Sequence, residues 1–305
     1  MINTIITGNK GFVGSNLSEF LETQGKNILG VSRNPAEKEI TYKDIDKEVL
    51  NQSKAFIHLA GKAHNLKKTS EENEYFEVNT ELTKTLFNKF LESDCETFIY
   101  MSSVKAVADV VEGILYENVK PNPITAYGKS KLAAEQYILS KEISKDKRVY
   151  ILRPCMIHGP KNKGNLNLLY NFVSKGIPYP FGKYKNKRSF VSVENLCFII
   201  NELIDNSEIQ SGIYNIADDE SISTNKLVKI IGNTISKSVK ILKIPKLIIK
   251  LLAKIGDIIP IPINSERLQK LTESYEVSNA KIKKAIQKEL PLTTKKGIEK
   301  TIASF

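Results

Sequence analysis

TGNKGFVG, residues 7–14, lies between a short apolar run, NTIITG (3–8), and FVGSNLSEFLETQG, in which Phe12, Val13, Leu17, Phe20 and Leu21 recur at helical spacing up to Gly25. The stretch therefore joins a first strand to a first helix, with Gly8, Gly11 and Gly14 in G-x-x-G-x-x-G spacing. Glycine at these places permits a tight turn and lets the backbone approach a pyrophosphate, while the helix N-terminus faces the negative charge. The plainer reading is a strand–helix turn without a ligand. Position, spacing and the following helix together favour a dinucleotide, with Phe12 and Val13 beside it.

Working outward, NILGVS (27–32) and AFIHLAG (55–61) read as strands, followed by a long helix over about 71–93 and a strand TFIYMSS (97–103). A loop with Pro121 and Pro123 leads to a helix of about 126–146, capped by Thr125, and then to the strand VYILRP (149–154). Alternating apolar strands and helices predict an α/β fold, a doubly wound parallel sheet of Rossmann type covered on both faces. After about residue 160 the rhythm changes. Pro178 and Pro180 break up the chain, RSFVSV (188–193) looks like a strand, and helices dominate to the end. Residues 1–160 are thus expected to form the dinucleotide-binding domain. Residues 161–305 would form a smaller, mostly helical lobe, partly interleaved with the sheet. The ligand would lie at the carboxyl ends of the strands, between sheet and lobe.

The end of the second strand bears on which nicotinamide dinucleotide fits. An acid there suits the ribose hydroxyls of NAD(H). This chain has Ser32 and Arg33 instead. A small residue followed by a guanidinium suits a 2′-phosphate and points to NADP(H). An acid elsewhere, such as Asp44, would still serve NAD(H).

The net charge of +11 invites a nucleic-acid partner, but lysine is spread along the chain with no basic arm and no Arg-rich block, so none is expected. The positive field suits an anionic small ligand. Cys95, Cys155 and Cys197 are far apart and odd in number, which fits free thiols in a reducing compartment. His58, His64 and His158 form no ligand cluster, so no metal is expected. The opening MINTIITGNKG starts directly as a strand, without a signal peptide, and no run is long enough to span a membrane; a cytoplasmic protein is expected. PKLIIKLLAKIG (245–256) carries Lys246, Lys250 and Lys254 beside an apolar face of Leu247, Ile248, Leu251, Leu252 and Ile255. Such a helix packs into its own domain or makes weak peripheral contact with an anionic membrane.

ITAYGKSK (124–131) contains Tyr127 and Lys131 in the pattern Y-x-x-x-K. A chain with 12 Tyr and this much lysine should show roughly two such spacings by chance, and Tyr116/Lys120 and Tyr179/Lys183 are decoys of that kind. Tyr116 lies in the loop before Pro121, and Tyr179 is flanked by Pro178 and Pro180, so neither segment holds a helix. Tyr127 and Lys131 are i and i+4 on a predicted helix and lie on one face.

These residues together resemble the extended short-chain dehydrogenase/reductase family, in particular its nucleotide-sugar epimerases and reductases. The resemblance covers nearly the whole chain: TGNKGFVG, HLAG (58–61), VNT (78–80), MSS (101–103), YGKSK (127–131), LRPCMIHGP (152–160) and RSFVSV, in that order. It implies a catalytic Ser103, 24 residues before Tyr127, with Tyr127 as acid–base group and Lys131 holding the nicotinamide ribose. A free phenol titrates near 10. A nearby ammonium and an oxidised nicotinamide would bring it toward neutrality, so that Tyr127 exchanges a proton with a sugar oxygen while Ser103 orients that oxygen. The resemblance also places Leu59, Ala60 and Gly61 against the cofactor and gives Asn79 a supporting role. Lys105, Asn165, Arg188 and, more weakly, Arg267 fall to the UDP-sugar. His58 reads as strand packing rather than catalysis. The two long helices resemble the pair through which the family forms homodimers.

Related 4,6-dehydratases carry an Asp-Glu pair directly after the Ser or Thr; here Val104 and Lys105 stand there, which argues against dehydration. Ser32, Arg33 and the SSVKAV context favour an NADP(H)-dependent reductase of a UDP-4-keto-6-deoxy-hexosamine for surface-polysaccharide synthesis. The alternative is a UDP-glucose or UDP-N-acetylglucosamine 4-epimerase. A non-catalytic nucleotide sensor is remote, because such proteins lose the Tyr or the Lys, and both are present.

Overall fold

The central sheet is built from short runs, β1 (Thr4–Thr7), β2 (Ile28–Val31), β3 (Glu39–Ile40), β4 (Ala55–His58) and β5 (Thr97–Met101), of which β1, β4 and β5 are buried throughout while β2 and β3 become more exposed toward the edge. Side chains alternate across it, so Ile6, Ile57 and Ile99 enter one core cluster while Ile5, Phe56 and Phe98 enter another on the opposite face. After β6 (Ile114–Leu115) come β7 (Arg148–Pro154), β8 (Met156–His158), β9 (Phe190–Ser192), β10 (Gly212–Ile216) and β11 (Glu276–Val277). The computed structural model describes residues 4–63, 72–160, 162, 165–259 and 263–305. Within these, the main sheet has seven parallel strands in the order β10-β7-β5-β4-β1-β2-β3. The order reverses between β1 and β4, and the crevice at that switch point is where a doubly wound sheet takes its ligand.

The covering helices are α1 (Phe12–Thr23), α2 (Lys47–Asn51), α3 (Glu72–Phe76), α4 (Leu82–Leu91) and α5 (Ala126–Leu139). Then follow α6 (Asn165–Ser174), α7 (Val193–Asp205), α8 (Thr224–Thr234), α9 (Lys246–Gly256), α10 (Ser265–Thr272), α11 (Ala280–Ile286) and α12 (Thr294–Ala303). Thr125 caps α5, its hydroxyl accepting from the Gly128 amide. The helix is shorter than the predicted 126–146. It closes at Ser140, whose amide reaches both Gln136 and Tyr137 carbonyls, and Lys147 then ties the returning chain to the carbonyls of Phe90, Ser93 and Cys95.

The long helix expected near 71–93 is also different in detail. Between α3 and α4, residues Glu77–Glu81 form a π-helical turn. Such turns insert one extra residue and recur at functional sites. Here the turn carries Asn79.

The C-terminal half contributes β10 and α7 to the sheet layer and builds a third apolar cluster from α6, α8, α9 and α12. Two small parallel pairings, β6 with β11 and β8 with β9, stitch this half to the loops beyond the sheet. No helix among the described residues is long and apolar enough to cross a membrane. No His, Cys, Asp or Glu group among them could hold a metal ion.

Candidate active site

The loop after β1 is shaped by two close approaches. Gly8 has φ +71°, and a Cβ there would lie 2.9 Å from the Ala60 amide nitrogen. A Cβ on Gly14 would lie 2.2 Å from the Gly8 carbonyl oxygen. Any side chain would close the cradle, so the sequence keeps it open. Helix α1 starts after Gly11 with no side-chain cap, an N-terminus of the kind that suits an anion. Phe12 and Val13 form its first turn. Leu59, Ala60 and Gly61 run across the switch point, with the Ala60 amide donating to the Thr7 hydroxyl. These features fit a bound dinucleotide.

At the end of β2 the structure adds an acid that local sequence reading missed. Glu39 on β3 pairs in register with Gly30 on β2. Gly30 leaves room for the Asn9 side chain, whose amide donates to Glu39 Oε1 at 2.7 Å. The Ser32 hydroxyl and the Ala36 amide donate to Glu39 Oε2, and the Lys10 ammonium lies 2.9 Å away. Burial pushes this carboxyl up, but Lys10 and the three hydrogen-bond donors outweigh it and hold it at about 2. Ser32 is buried and engaged with this anion, while Arg33 stands exposed at the same edge. Asp44 instead closes its own turn, accepting from the Thr41 amide and hydroxyl.

Ser103, Tyr127 and Lys131 meet in a cleft of about 250 Å³ at the ends of β4, β5 and β7, which Gly61, Ser102 and Cys155 also line. A wider hollow of about 710 Å³ beside Tyr116, Glu117 and Lys281 holds none of the candidate residues. Ser103 lies two residues past the end of β5, in extended geometry, and caps a short 3-10 turn, its oxygen accepting from the Lys105 amide. Ser103 and Tyr127 are hydrogen-bonded through their side chains. Burial raises the Tyr127 phenol above its ordinary value, and the bond with Ser103 opposes the rise. The lowering expected from Lys131 is not found in the protein alone, because that ammonium is directed elsewhere. It donates to the Met101 carbonyl at 2.8 Å and lies 4.9 Å from the Tyr100 ring centre. Burial pulls Lys131 down to about 8, against the Glu135 carboxylate, which pushes it up. The decoys separate cleanly: Tyr116 is exposed in its loop, and Tyr179 is buried in a bridge with Ile241.

Asn79, fully buried, ties the cleft together. Its amide oxygen accepts from the Lys62 backbone at 2.7 Å, and its nitrogen donates to the Lys62 carbonyl and to Ser130 Oγ. The π-helical turn is what points it there. His58 is buried between the Thr7 and Thr83 hydroxyls, and burial, helped by Lys131, depresses it to about 3. It is a neutral packing group, as its strand position suggested.

Lys105 and Arg188 lie near one another behind Ser103 and Cys155, and neither is among the residues that line the cleft. The Lys105 ammonium donates to the Asp109 carbonyl and lies 4.4 Å from the Tyr275 ring centre. Arg188 is close enough to lower the Lys105 ammonium, after burial, and to act on the Cys155 thiol in the cleft. The Arg188 guanidinium donates to the Lys270 carbonyl of α10. Arg267 is exposed on α10, its amide bound by the capping Asn264, and is not among the residues lining the cleft. Asn165 opens α6, and its side chain lies outside the described residues. His64 also lies outside them. The three cysteines are free and buried.

A UDP-glucose 4-epimerase of Vibrio cholerae is 28% identical over 316 aligned positions, covering 99% of this chain and 94% of that protein. The N-acetyl-alpha-D-glucosaminyl-diphospho-ditrans,octacis-undecaprenol 4-epimerase of Escherichia coli O157:H7 is 27% identical, covering 92% of this chain and 85% of its own. Among solved structures, the UDP-glucuronic acid 4-epimerase of Bacillus cereus in complex with NAD shares the fold with a TM-score of 0.74 at 16% identity, over 99% of this chain and 98% of that one. The model of the NAD dependent epimerase/dehydratase family matches residues 4–217. A match that runs from β1 through β10, more than two thirds of the length, makes this chain a member of the NAD dependent epimerase/dehydratase family, NAD(P)-dependent enzymes of nucleotide-sugar metabolism.

Proposed function

We propose that this protein is a UDP-hexose 4-epimerase that works with NAD(H). The observation that carries the choice is Glu39. A carboxylate held at about 2 beside Ser32 is ionised at any working pH. It suits the ribose hydroxyls of NAD(H) and repels the 2′-phosphate of NADP(H). The reductase expectation drew on Ser32 and Arg33 as a 2′-phosphate site, and Glu39 removes that support. The full-length similarity to two 4-epimerases agrees with this reading.

In this reading Tyr127 takes the proton of the sugar 4-hydroxyl and later returns it. Ser103 accepts a hydrogen bond from the Lys105 amide, and its own hydrogen turns from Tyr127 to the sugar oxygen when substrate enters. Lys131 leaves Met101 to bind the nicotinamide ribose and brings its charge toward the phenol. The bound nicotinamide supplies the oxidising and reducing equivalent for the sugar carbon. Lys105 and Arg188 face the diphosphate, with Asn165 and Arg267 as further candidates on the lobe. The first 160 residues hold the cofactor, and the remainder closes over the UDP-sugar. The helices α3, α4 and α5 lie side by side on one flank, where a second copy would complete a four-helix bundle.

The test is to denature the purified protein and identify what it releases. Bound NAD, together with interconversion of UDP-glucose and UDP-galactose or their N-acetylated forms without added cofactor, supports the proposal. Polyprenyl-diphosphate-linked N-acetylglucosamine is assayed beside them, because it presents the same sugar diphosphate. A protein that releases no NAD and oxidises NADPH only with a 4-keto sugar is a reductase, and the proposal fails.

A further inference from the structure

Helix α9 turns its apolar face outward. Among the described residues sixteen large apolar side chains stand exposed, and eight of them fall within residues 242–259. Only Ile249 and Ala253 of the helix are buried, in the cluster of the C-terminal lobe. Leu247, at 80% exposed, and Ile248, Leu251, Leu252 and Ile255 occupy one continuous arc of the helical wheel. Ile258, 87% exposed, and Ile259 continue the patch past the helix end. A soluble surface rarely leaves a contiguous patch of this kind uncovered.

The charges on this helix are one-sided. Lys246, Lys250 and Lys254 line one flank of the arc, between the outward face and the buried stripe, and are exposed. Lys243 precedes them, also exposed, and residues 246–256 contain no acid. Asp257 follows, but its carboxylate is taken by the amide and hydroxyl of Ser265. A helix with aliphatic side chains across about 140° and lysines along the flank matches a surface that is apolar within and anionic at its rim.

We propose that α9 with residues 258–259 is a docking surface for an anionic lipid bilayer. The helix would lie in the plane of the interface, its leucines and isoleucines among the acyl chains and its lysines at the headgroup phosphates. None of these residues lines the catalytic cleft, so the surface stands or falls apart from the reaction proposed above.

The experiment is co-sedimentation of the full chain with extruded vesicles of phosphatidylcholine, with and without phosphatidylglycerol. The protein is expected to sediment with the anionic vesicles and to be released by high salt. Leu251→Glu should abolish sedimentation, and Lys250→Ala should weaken it about fivefold. Both variants should keep the fold and the turnover of soluble substrate, because both side chains are exposed. Failure to sediment with anionic vesicles, or sedimentation unchanged in Leu251→Glu, overturns the proposal. An oligomer that Leu251→Glu dissociates assigns the face to a second copy and also overturns it.

Discussion

Lys131 and Glu135 stand one helical turn apart on α5, and the second carboxylate helps keep the first ammonium charged in a buried site. Glu135 does this while held in turn by Arg153. The guanidinium Nε donates to Glu135 Oε1 at 3.0 Å, Nη2 donates to Oε2, and the Ser102 hydroxyl bonds the same carboxylate. Ser102, Glu135 and Arg153 are all buried. They form the floor beneath Ser103 and Lys131.

Removing one member of a buried ion pair leaves the other uncompensated. Glu135→Gln should therefore destabilise the protein by about 3–5 kcal/mol, read from urea unfolding. The paired replacement Glu135→Leu with Arg153→Met should recover much of that loss, since Arg153 Nη1 has no hydrogen-bond partner among the described residues even in the native protein. If the double variant is as unstable as the single one, the pair stabilises in a way that burial and charge do not explain.

Lys131 itself should cost stability. Its folded value of about 8 lies below the ordinary 10.5, so between these values the unfolded chain binds more protons than the folded one. Stability from this group then rises as pH rises from about 8 to 10.5, and its penalty is present in full below 8. Lys131→Met is expected to be about 1–3 kcal/mol more stable than the native protein at pH 7, with the gap closing toward pH 10.5. Urea midpoints across that range check it; a gap that widens with pH contradicts the sign.

Tyr127→Phe should lower kcat by about 10²–10⁴, the usual span for an acid–base group. Binding of NAD, followed by calorimetry, should change little, because the ring and its edge-on contact with Tyr75 remain. Near-normal turnover would remove Tyr127 from the chemistry.

Glu39→Ala should raise the affinity for NADP(H) relative to NAD(H) by at least about tenfold. It removes a like charge from the 2′-phosphate position and frees the Lys10 ammonium, now 2.9 Å from Glu39, to meet that phosphate. Titration of both cofactors against both proteins measures the ratio, and an unchanged ratio places Glu39 outside cofactor selection.

Five strands of the main sheet, β1, β2, β4, β5 and β7, were readable because they are short apolar runs where a βαβ rhythm puts them, whereas β3 and β10 were not read. The Ser103, Tyr127 and Lys131 group was equally readable, since a strand end and one helical face fix where the three side chains lie. Glu39 was not. It reaches Ser32 through the pairing of β3 with β2 and through the side chain of Asn9, contacts that sequence spacing does not encode. The outward face of α9 was ambiguous for a related reason: periodicity locates an apolar stripe but does not say whether the lobe covers it. Arg188 was visible as a candidate, whereas its approach to Lys105 is set by its pairings with Ile222 and Tyr275, which are distant in sequence.

The π-helical turn at Glu77–Glu81 makes the length of this segment resistant to change. One added residue turns a helix by about 100°, so the two ends are cut out of phase with each other. Upstream, Tyr75 meets Tyr127; downstream, Leu86, Phe87 and Phe90 fill the sheet core. Deleting a residue within the turn would restore a regular helix and re-aim Asn79, whereas deleting one between Leu82 and Leu86 would swing one end off its partner. Substitutions at the exposed side chains of this helix leave both packings in place, but a change in its residue count does not.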